Sequence, residues 1–588
     1  MIPIKPNNAK TIYSLFYFFT FCIIIGIVRL LYLQITCREQ LYLQSEHNFT
    51  RLERIPQPRG NITDTDGHII ATNKPIINLF WHGTGRKSLT AHQKNIINQI
   101  EKILEKSFTD EAKKKILYAE QFEKQILLIN DIDFQKLSLI AEQLGHEPNI
   151  IIQSSFKRYY PYSKMASHVI GYLSYQAEPN GRMGLEKLYQ DALTGEPEIK
   201  KCMVNAIGKS LHEEAFKVGC AGQSLQTTLN LKLQSFAEEI FPYDWSGCMI
   251  IMEPTTGALR VVLSRPSFDP SIFLQPISHE EWQHLQEHRP FLNRAFEACY
   301  PPASLFKLVV ATAALEHNIV SKKTTTMCRG HILYGGRKYH CNIHHGHGKV
   351  SFKEAVAFSC NIIFYEIGKR MSIDQIADYA FRFGLGKPTG INFPEKTGLV
   401  PTSKWKIQEK GERWWQGETV SAAIGQTYLL ATPLQIARMQ SSIFTGYLTK
   451  PRLLENEPIE KTTLAIKPTT LKFLQKSMRA TVEEGTGKRL RDIEDLIIYA
   501  KTGTAQISSL QKRMLERNEF LEHAWFSGAF SYKNEKPLII TVLVEHAGGS
   551  RAPISIAKKF LIKYRNYMRQ MYKQKAEQLI DEHEGQIA

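Results

Sequence analysis

Ser304 and Lys307 stand three residues apart in "YPPASLFKLVVATAALE". Pro301-Pro302 ends one segment, and an alanine-rich apolar helix is expected to begin near Ser304. The spacing puts both side chains on one helix face, about one turn apart. A serine hydroxyl is a weak nucleophile until a base takes its proton. Lysine can be that base only where burial or a second cation lowers its pKa. A helix N-terminus adds backbone N–H groups and a positive dipole for a developing oxyanion. Alone, the pair means little, since composition scatters Ser-x-x-Lys through any chain of this length.

Two later stretches supply partners. "AFSCNIIFYEIG" carries Ser359-Cys360-Asn361 just before an apolar helix. There Ser359 could relay protons and Asn361 could hold a substrate amide. "DLIIYAKTGTAQ" reads as a buried strand running into Lys501-Thr502-Gly503-Thr504. Such a strand can pair with an extended peptide, Gly503 lets two backbones approach closely, and Lys501 supplies the second cation. The hydroxyls of Thr502 and Thr504 suit a terminal carboxylate.

Between the first two motifs lies "HCNIHHGHGKV", four histidines and a cysteine within eight residues. Extended outward, it gives Cys328, Cys341, His347 and Cys360, spaced C-x12-C-x5-H-x12-C. Three thiolates and an imidazole form a closed tetrahedral zinc set with no water position, structural rather than catalytic. The other readings are a Cys328–Cys341 disulfide or histidines that solvate a loop. His340, His344 and His345 are expected at the surface or behind the ligands.

These motifs need elements to position them, and 588 residues are enough for two or more domains. From Thr11 to Val28 the chain has no charge, and "LLYLQI" extends the apolar stretch past Arg29, which is long enough to span hydrocarbon. Lys5 and Lys10 precede it without acids, which favours a cytoplasmic tail. No small-residue cleavage site follows, so the expectation is an uncleaved single-pass anchor with the rest outside, in a periplasm-like space. Residues 51–73 read as extended or β, residues 84–150 as charged helices, and residues 150–228 as short strands with glycines. "GCMIIMEPTTGALRVVLSRP" reads as a hairpin opening a new domain near Gly247. Strands, then helices, then strands predict an α+β fold with helices packed on an antiparallel sheet. Net charge is +17, but acids interleave with the bases and no run of five bases occurs, so nucleic acid is not the expected partner. Nine scattered cysteines do not form a small-domain disulfide framework.

Ser-x-x-Lys, Ser-x-Asn and Lys-Thr-Gly, in that order over about two hundred residues, are the acyl-serine set of penicillin-binding proteins and β-lactamases. From residue 11 to about 560 the chain resembles the class B penicillin-binding proteins, monofunctional peptidoglycan D,D-transpeptidases. The likeness includes "RGNITDTDG", "GLEKLYQDALTG", "LQTTLNLKLQ", "EPTTGALRVVLSRPSFDP", "ATPLQIA" and "HAWFSGA". "YPPAS", "HGHGKVSFKEAVAFSCN" and "WWQGETVSAAIGQ" look like the elongation subclass more than the division subclass. No stretch resembles the glycosyltransferase domain of class A members. A β-lactamase would not need the long N-terminal pedestal, and a β-lactam sensor would need a signalling domain.

The resemblance implies a cytoplasmic tail (1–10), a transmembrane helix (11–33), a β-rich pedestal of the dimerisation type (34–240), a transpeptidase domain (247–565) and a charged C-terminal tail (566–588). It implies that Ser304 forms the acyl-enzyme, Lys307 is the base, and Ser359 and Asn361 shuttle protons and orient substrate. Lys501, Thr502, Gly503 and Thr504 would bind the substrate's terminal carboxylate, with the N–H groups of Ser304 and Thr504 as oxyanion hole. Substrates would be D-Ala-D-Ala stem peptides, with β-lactams as inhibitors. The partners would be a polytopic membrane glycosyltransferase and a shape-determining scaffold. Catalysis needs no cofactor. Elongation-type relatives are similar in placing metal ligands here, often aspartates where this chain has Cys328 and Cys341. The chain departs from the pattern at Ala303 and Thr427, where glycine is usual, and at Asn230, where aspartate is common.

Overall fold

The computed structural model describes residues 6–42, 50–175, 179–204, 210–287, 289–506 and 521–587. It is a mixed α+β structure divided into two compact units. The first comprises residues 1–59, 73–157 and 194–222, and the second residues 60–72, 158–193 and 223–588.

The first unit begins with the helix Pro6–Leu31, continued by a wider turn over Tyr32–Thr36. It is the only helix, among the described residues, that is long and apolar enough to cross a membrane, and its apolar window is not buried by the rest of the chain. Beyond it, helices Ala91–Leu104, Asp110–Gln121 and Phe134–Leu144 begin at Thr90, Thr109 and Asp133. Each of these caps accepts from a backbone N–H in the first turn, satisfying a donor the helix cannot. Their apolar stripes bury Ile96, Ile100, Ile116 and Ile140 against Leu79 and Trp81. The region expected to be wholly helical also contains the strand Gln125–Ile129, paired antiparallel with Leu79–His82. "QILLI" is too short for a helix and is drawn into the sheet by a ready-made edge.

The second unit is built on a five-stranded antiparallel sheet. Its spatial order is Leu259–Arg265, Gly247–Met252, Leu538–Val544, His523–Tyr532, Leu496–Ala505. The first two strands form the expected hairpin, turned at Gly257 with φ 78°. Burial runs unbroken along Gly247–Met252 and nearly so along Leu538–Val544, because helices cover both faces of the sheet. On one face lie Leu231–Ile240 and the start of Arg551–Ile587; on the other, Lys307–Glu316 and Pro433–Thr445 share a larger core. The Leu496–Ala505 strand is an edge of this sheet, with one ladder side unpaired among the described residues.

Candidate active site

The turn bearing Ser304 is fixed before its helix starts. Ala303–Leu305 form one 3-10 turn and the α-helix runs from Lys307 to Glu316, three residues later than the sequence suggests. Ala303 has φ 49°, a left-handed conformation that precludes a regular helix start at Ser304. Five bonds hold this approach. The Ala303 N–H donates to Gly425 O at 3.0 Å, and Tyr300 exchanges two backbone bonds with Ala431. The Trp525 indole N–H donates to Pro301 O at 3.0 Å, and the Tyr300 hydroxyl donates to Glu545 at 2.6 Å. Arg294 Nε also donates to Glu545 Oε1, at 3.0 Å. Gly425 leaves no room for a side chain, since a Cβ there would stand 1.9 Å from Ala303 O.

Lys307 is fully buried. Its Nζ donates to Asn361 Oδ1 at 2.7 Å, to Ser359 O at 2.7 Å and to Ser359 Oγ at 3.2 Å. Burial pulls its pKa down to about 8, the thiols of Cys360 and Cys341 opposing that shift. Ser304, half-buried, lies one turn back, and its hydroxyl has no side-chain partner among the described residues. Ser359 also holds left-handed backbone, φ 56°, which turns its side chain toward Lys307 at the end of helix Phe352–Ala357. Asn361 opens the next helix and donates from Nδ2 to His340 O at 2.9 Å.

Lys501 is equally buried, and burial together with the neighbouring Lys307 charge holds its pKa well below the lysine range. Thr502 is buried and shares a 2.7 Å hydroxyl–hydroxyl bond with Thr486, whose N–H donates to Ala357 O. Thr504 is exposed. A Cβ at Gly503 would meet Pro302 O at 3.4 Å and Leu305 Cγ at 3.5 Å, so this edge strand lies directly against the Ser304 turn. The structure thus gathers the three motifs. His340 O, Gly425, Trp525 and Thr486 complete the frame, and sequence reasoning singles out none of them. "HAWFSGA" and "IGQ" do mark the stretches holding two of them.

Cys328, Cys341, His347 and Cys360 also converge, their ligand atoms all within 4.8 Å of one another. The sulfurs of Cys328 and Cys341 each lie 3.5 Å from His347 Nδ1, and those of Cys341 and Cys360 are 3.9 Å apart. A zinc tetrahedron with ordinary bond lengths has sulfur–nitrogen edges of about 3.5 Å and sulfur–sulfur edges of about 3.8 Å. The donor set and its edges therefore fit such an ion. All three cysteines are free and buried.

Comparison with known proteins agrees with this architecture. The penicillin-binding protein transpeptidase domain matches residues 247–563, and the penicillin-binding protein dimerisation domain matches residues 54–227. The chain belongs to the penicillin-binding protein transpeptidase family. It is 29% identical to the peptidoglycan D,D-transpeptidase MrdA of Acinetobacter baumannii, over 91% of this chain and 84% of that one. Its identity to the MrdA of Haemophilus influenzae is 27%, over 91% and 88%. Among solved structures, penicillin-binding protein 2 of Helicobacter pylori in complex with MreC superposes with a TM-score of 0.77. That pair shares 29% identity, covering 89% of this chain and 99% of that one.

Proposed function

We propose that this protein is an elongation-type peptidoglycan D,D-transpeptidase, anchored by its N-terminal helix in the inner membrane with the catalytic domain in the periplasm. One observation carries the reading: a buried lysine, bonded to both Ser359 and Asn361, one helical turn from a half-buried serine beside the edge strand of the sheet. The geometry supports the following order of events. An extended stem peptide adds to the edge strand, and Lys501, Thr502 and Thr504 take its terminal carboxylate across the Gly503 approach. Neutral Lys307 accepts the Ser304 proton, and Ser304 Oγ attacks the penultimate D-Ala carbonyl. The Ser304 and Thr504 N–H groups stabilise the oxyanion. As the carbonyl re-forms, the C–N bond breaks and terminal D-alanine leaves with a proton relayed through Ser359. An amine from a neighbouring stem then attacks the acyl-serine, and Ser304 regains its proton.

The domain limits of this reading are a tail to residue 10, a span over 11–33, a pedestal over 34–240, a transpeptidase domain over 247–565 and a charged tail from 566. The partners of this reading are a scaffold like the MreC bound in the Helicobacter pylori complex, which supports it, and a polytopic membrane glycosyltransferase, which the family resemblance alone implies. The cysteine cluster would hold a structural zinc ion, bound by Cys328, Cys341, His347 and Cys360, that fixes the Ser359 loop.

Labelling with a fluorescent penicillin tests the enzyme. Wild type is expected to label covalently and Ser304→Ala not at all; labelling that survives the substitution refutes the assignment. Elemental analysis is expected to find about one zinc per chain, lost in Cys341→Ser. A metal-free wild type that acylates fully would exclude the zinc.

A further inference from the structure

Between Glu316 and Glu354 the chain has no acidic residue, yet it holds seven lysines and arginines. The segment folds as two small antiparallel pairs, Thr325–Cys328 with Gly348–Ser351 and His331–Tyr334 with Arg337–His340. Side chains alternate across a strand. The inward set packs Ile332, Tyr339 and Val350 on the core, while Lys322, Lys323, Arg329, Arg337, Lys338 and Lys349 are exposed. Of the seven bases, Lys353 alone forms an ion pair among the described residues, with Glu484 at 3.5 Å. His331, His340, His344 and His345 are exposed on the same lobe and add hydrogen-bonding groups. Interleaved acids ordinarily break up the field of a basic surface. With none in the segment, the lobe presents one sign of charge to an approaching anion.

This lobe abuts the reaction centre. The His340 carbonyl accepts from Asn361 Nδ2 at 2.9 Å, and Asn342 Nδ2 donates to Phe358 O at 3.2 Å, so it grips both sides of the Ser359 turn. A transpeptidase has to hold two stems there. The donor's terminal carboxylate goes to Lys501 and its backbone to the edge strand. The acceptor is a second stem, again a peptide that bears carboxylate, and a Lys-Thr-Gly strand filled by the donor cannot hold it as well.

We propose that the basic lobe of residues 317–353 docks the acceptor strand, an acidic peptide, through its carboxylates. This rests on the transpeptidase reading and adds to it the surface that the second substrate uses. Anionic lipid is attracted by the same field, but seating on a membrane also takes a broad apolar face. The lobe's exposed large apolar residues are Met327 and Leu333, which stand on different strand pairs.

Binding of fluorescent, un-cross-linked glycan strands bearing pentapeptide stems tests the dock, read by anisotropy on the detergent-solubilised full chain. Ser304 is first blocked with penicillin, so the donor site cannot take the probe. Lys338→Glu/Lys349→Glu is compared with Lys559→Glu/Lys575→Glu, which makes the same charge change on exposed lysines of the C-terminal helix. One contact between opposite charges at about 4 Å in water is worth about fivefold in binding, so the lobe variant should bind roughly twenty-fold more weakly at low salt. The C-terminal variant is expected to bind like wild type, and strands whose carboxylates are converted to amides to bind weakly to all three. If thermal melting shows the lobe variant unfolded, Lys338→Gln/Lys349→Gln serves, with about a fivefold loss expected. Unchanged binding in the lobe variant, equal loss in both variants, amidated strands that bind as tightly, or a loss seen only with phosphatidylglycerol vesicles overturns the dock. A wild type that takes no penicillin refutes the transpeptidase reading instead, and the same comparison on the unblocked chain still decides the lobe.

Discussion

Three non-glycine residues around the reaction centre hold left-handed backbone: Ala303 at φ 49°, Ser359 at 56° and Thr427 at 78°. Such a conformation costs an L-residue about 1–2 kcal/mol. Ala303 and Thr427 are the two positions where resemblance leads one to expect glycine, so both departures carry strain. Glycine at the exposed Thr427 relieves that strain and forfeits only unfolded-chain entropy, about 0.5–1 kcal/mol. Thr427→Gly is thus expected to stabilise by about 0.5–1 kcal/mol in denaturant unfolding. Ala303→Gly also gives up a buried methyl worth about 0.8 kcal/mol and should be near neutral. With Lys307 as the proposed base, its titration should set the pH response. With its pKa near 8, the neutral base is the minor form at pH 7. Acylation should therefore rise about tenfold from pH 6 to pH 7 and level off above pH 8 in stopped-flow penicillin binding. A flat profile over that range would remove Lys307 as the base. Side chains of reactive type declare themselves by identity and spacing, which is why Ser304, Lys307 and Lys501 are legible in the sequence as candidates. The His340 carbonyl is not, since every residue owns that acceptor and only folding aims it at Asn361.

The elements matter here for what they leave empty. The Leu496–Ala505 strand carries Lys-Thr-Gly on a sheet edge that is unpaired among the described residues, and the Ser304 turn fits against Gly503 with little clearance. Gly425 is tighter. Gly425→Ala drives a methyl into the Ala303 carbonyl and strains a residue at φ 77°, so the Ser304 turn has to shift. Acylation is expected to fall at least a hundredfold, since about 1 Å of misplacement can cost that much. A melting curve near wild type would show the effect to be local; unchanged acylation would mean that the turn is not held by this contact. Apolar periodicity is enough to mark the catalytic strands and helices along the chain. It hides the Gln125–Ile129 strand, because a five-residue apolar run carries no period of its own. It also places the catalytic helix three residues early, as the left-handed Ala303 cannot be foreseen from an alanine-rich sequence.

Across the whole molecule, sequence order and spatial order diverge. The second unit draws on residues 60–72 and 158–193 as well as everything after 223, and Thr65 bonds to Glu455 across 390 positions. Connections that long are invisible to local pattern, since contact between distant segments leaves no periodic trace. The sheet shows the outcome most plainly. Leu538–Val544, the last of its strands to be synthesised, lies at its centre, between Gly247–Met252 and His523–Tyr532. Until that strand arrives, the early hairpin and the Lys-Thr-Gly strand have nothing to join them. Assembly of the sheet thus waits on residues 538–544, and a nascent chain that stops short of them cannot bring its hairpin and its Lys-Thr-Gly strand into one sheet.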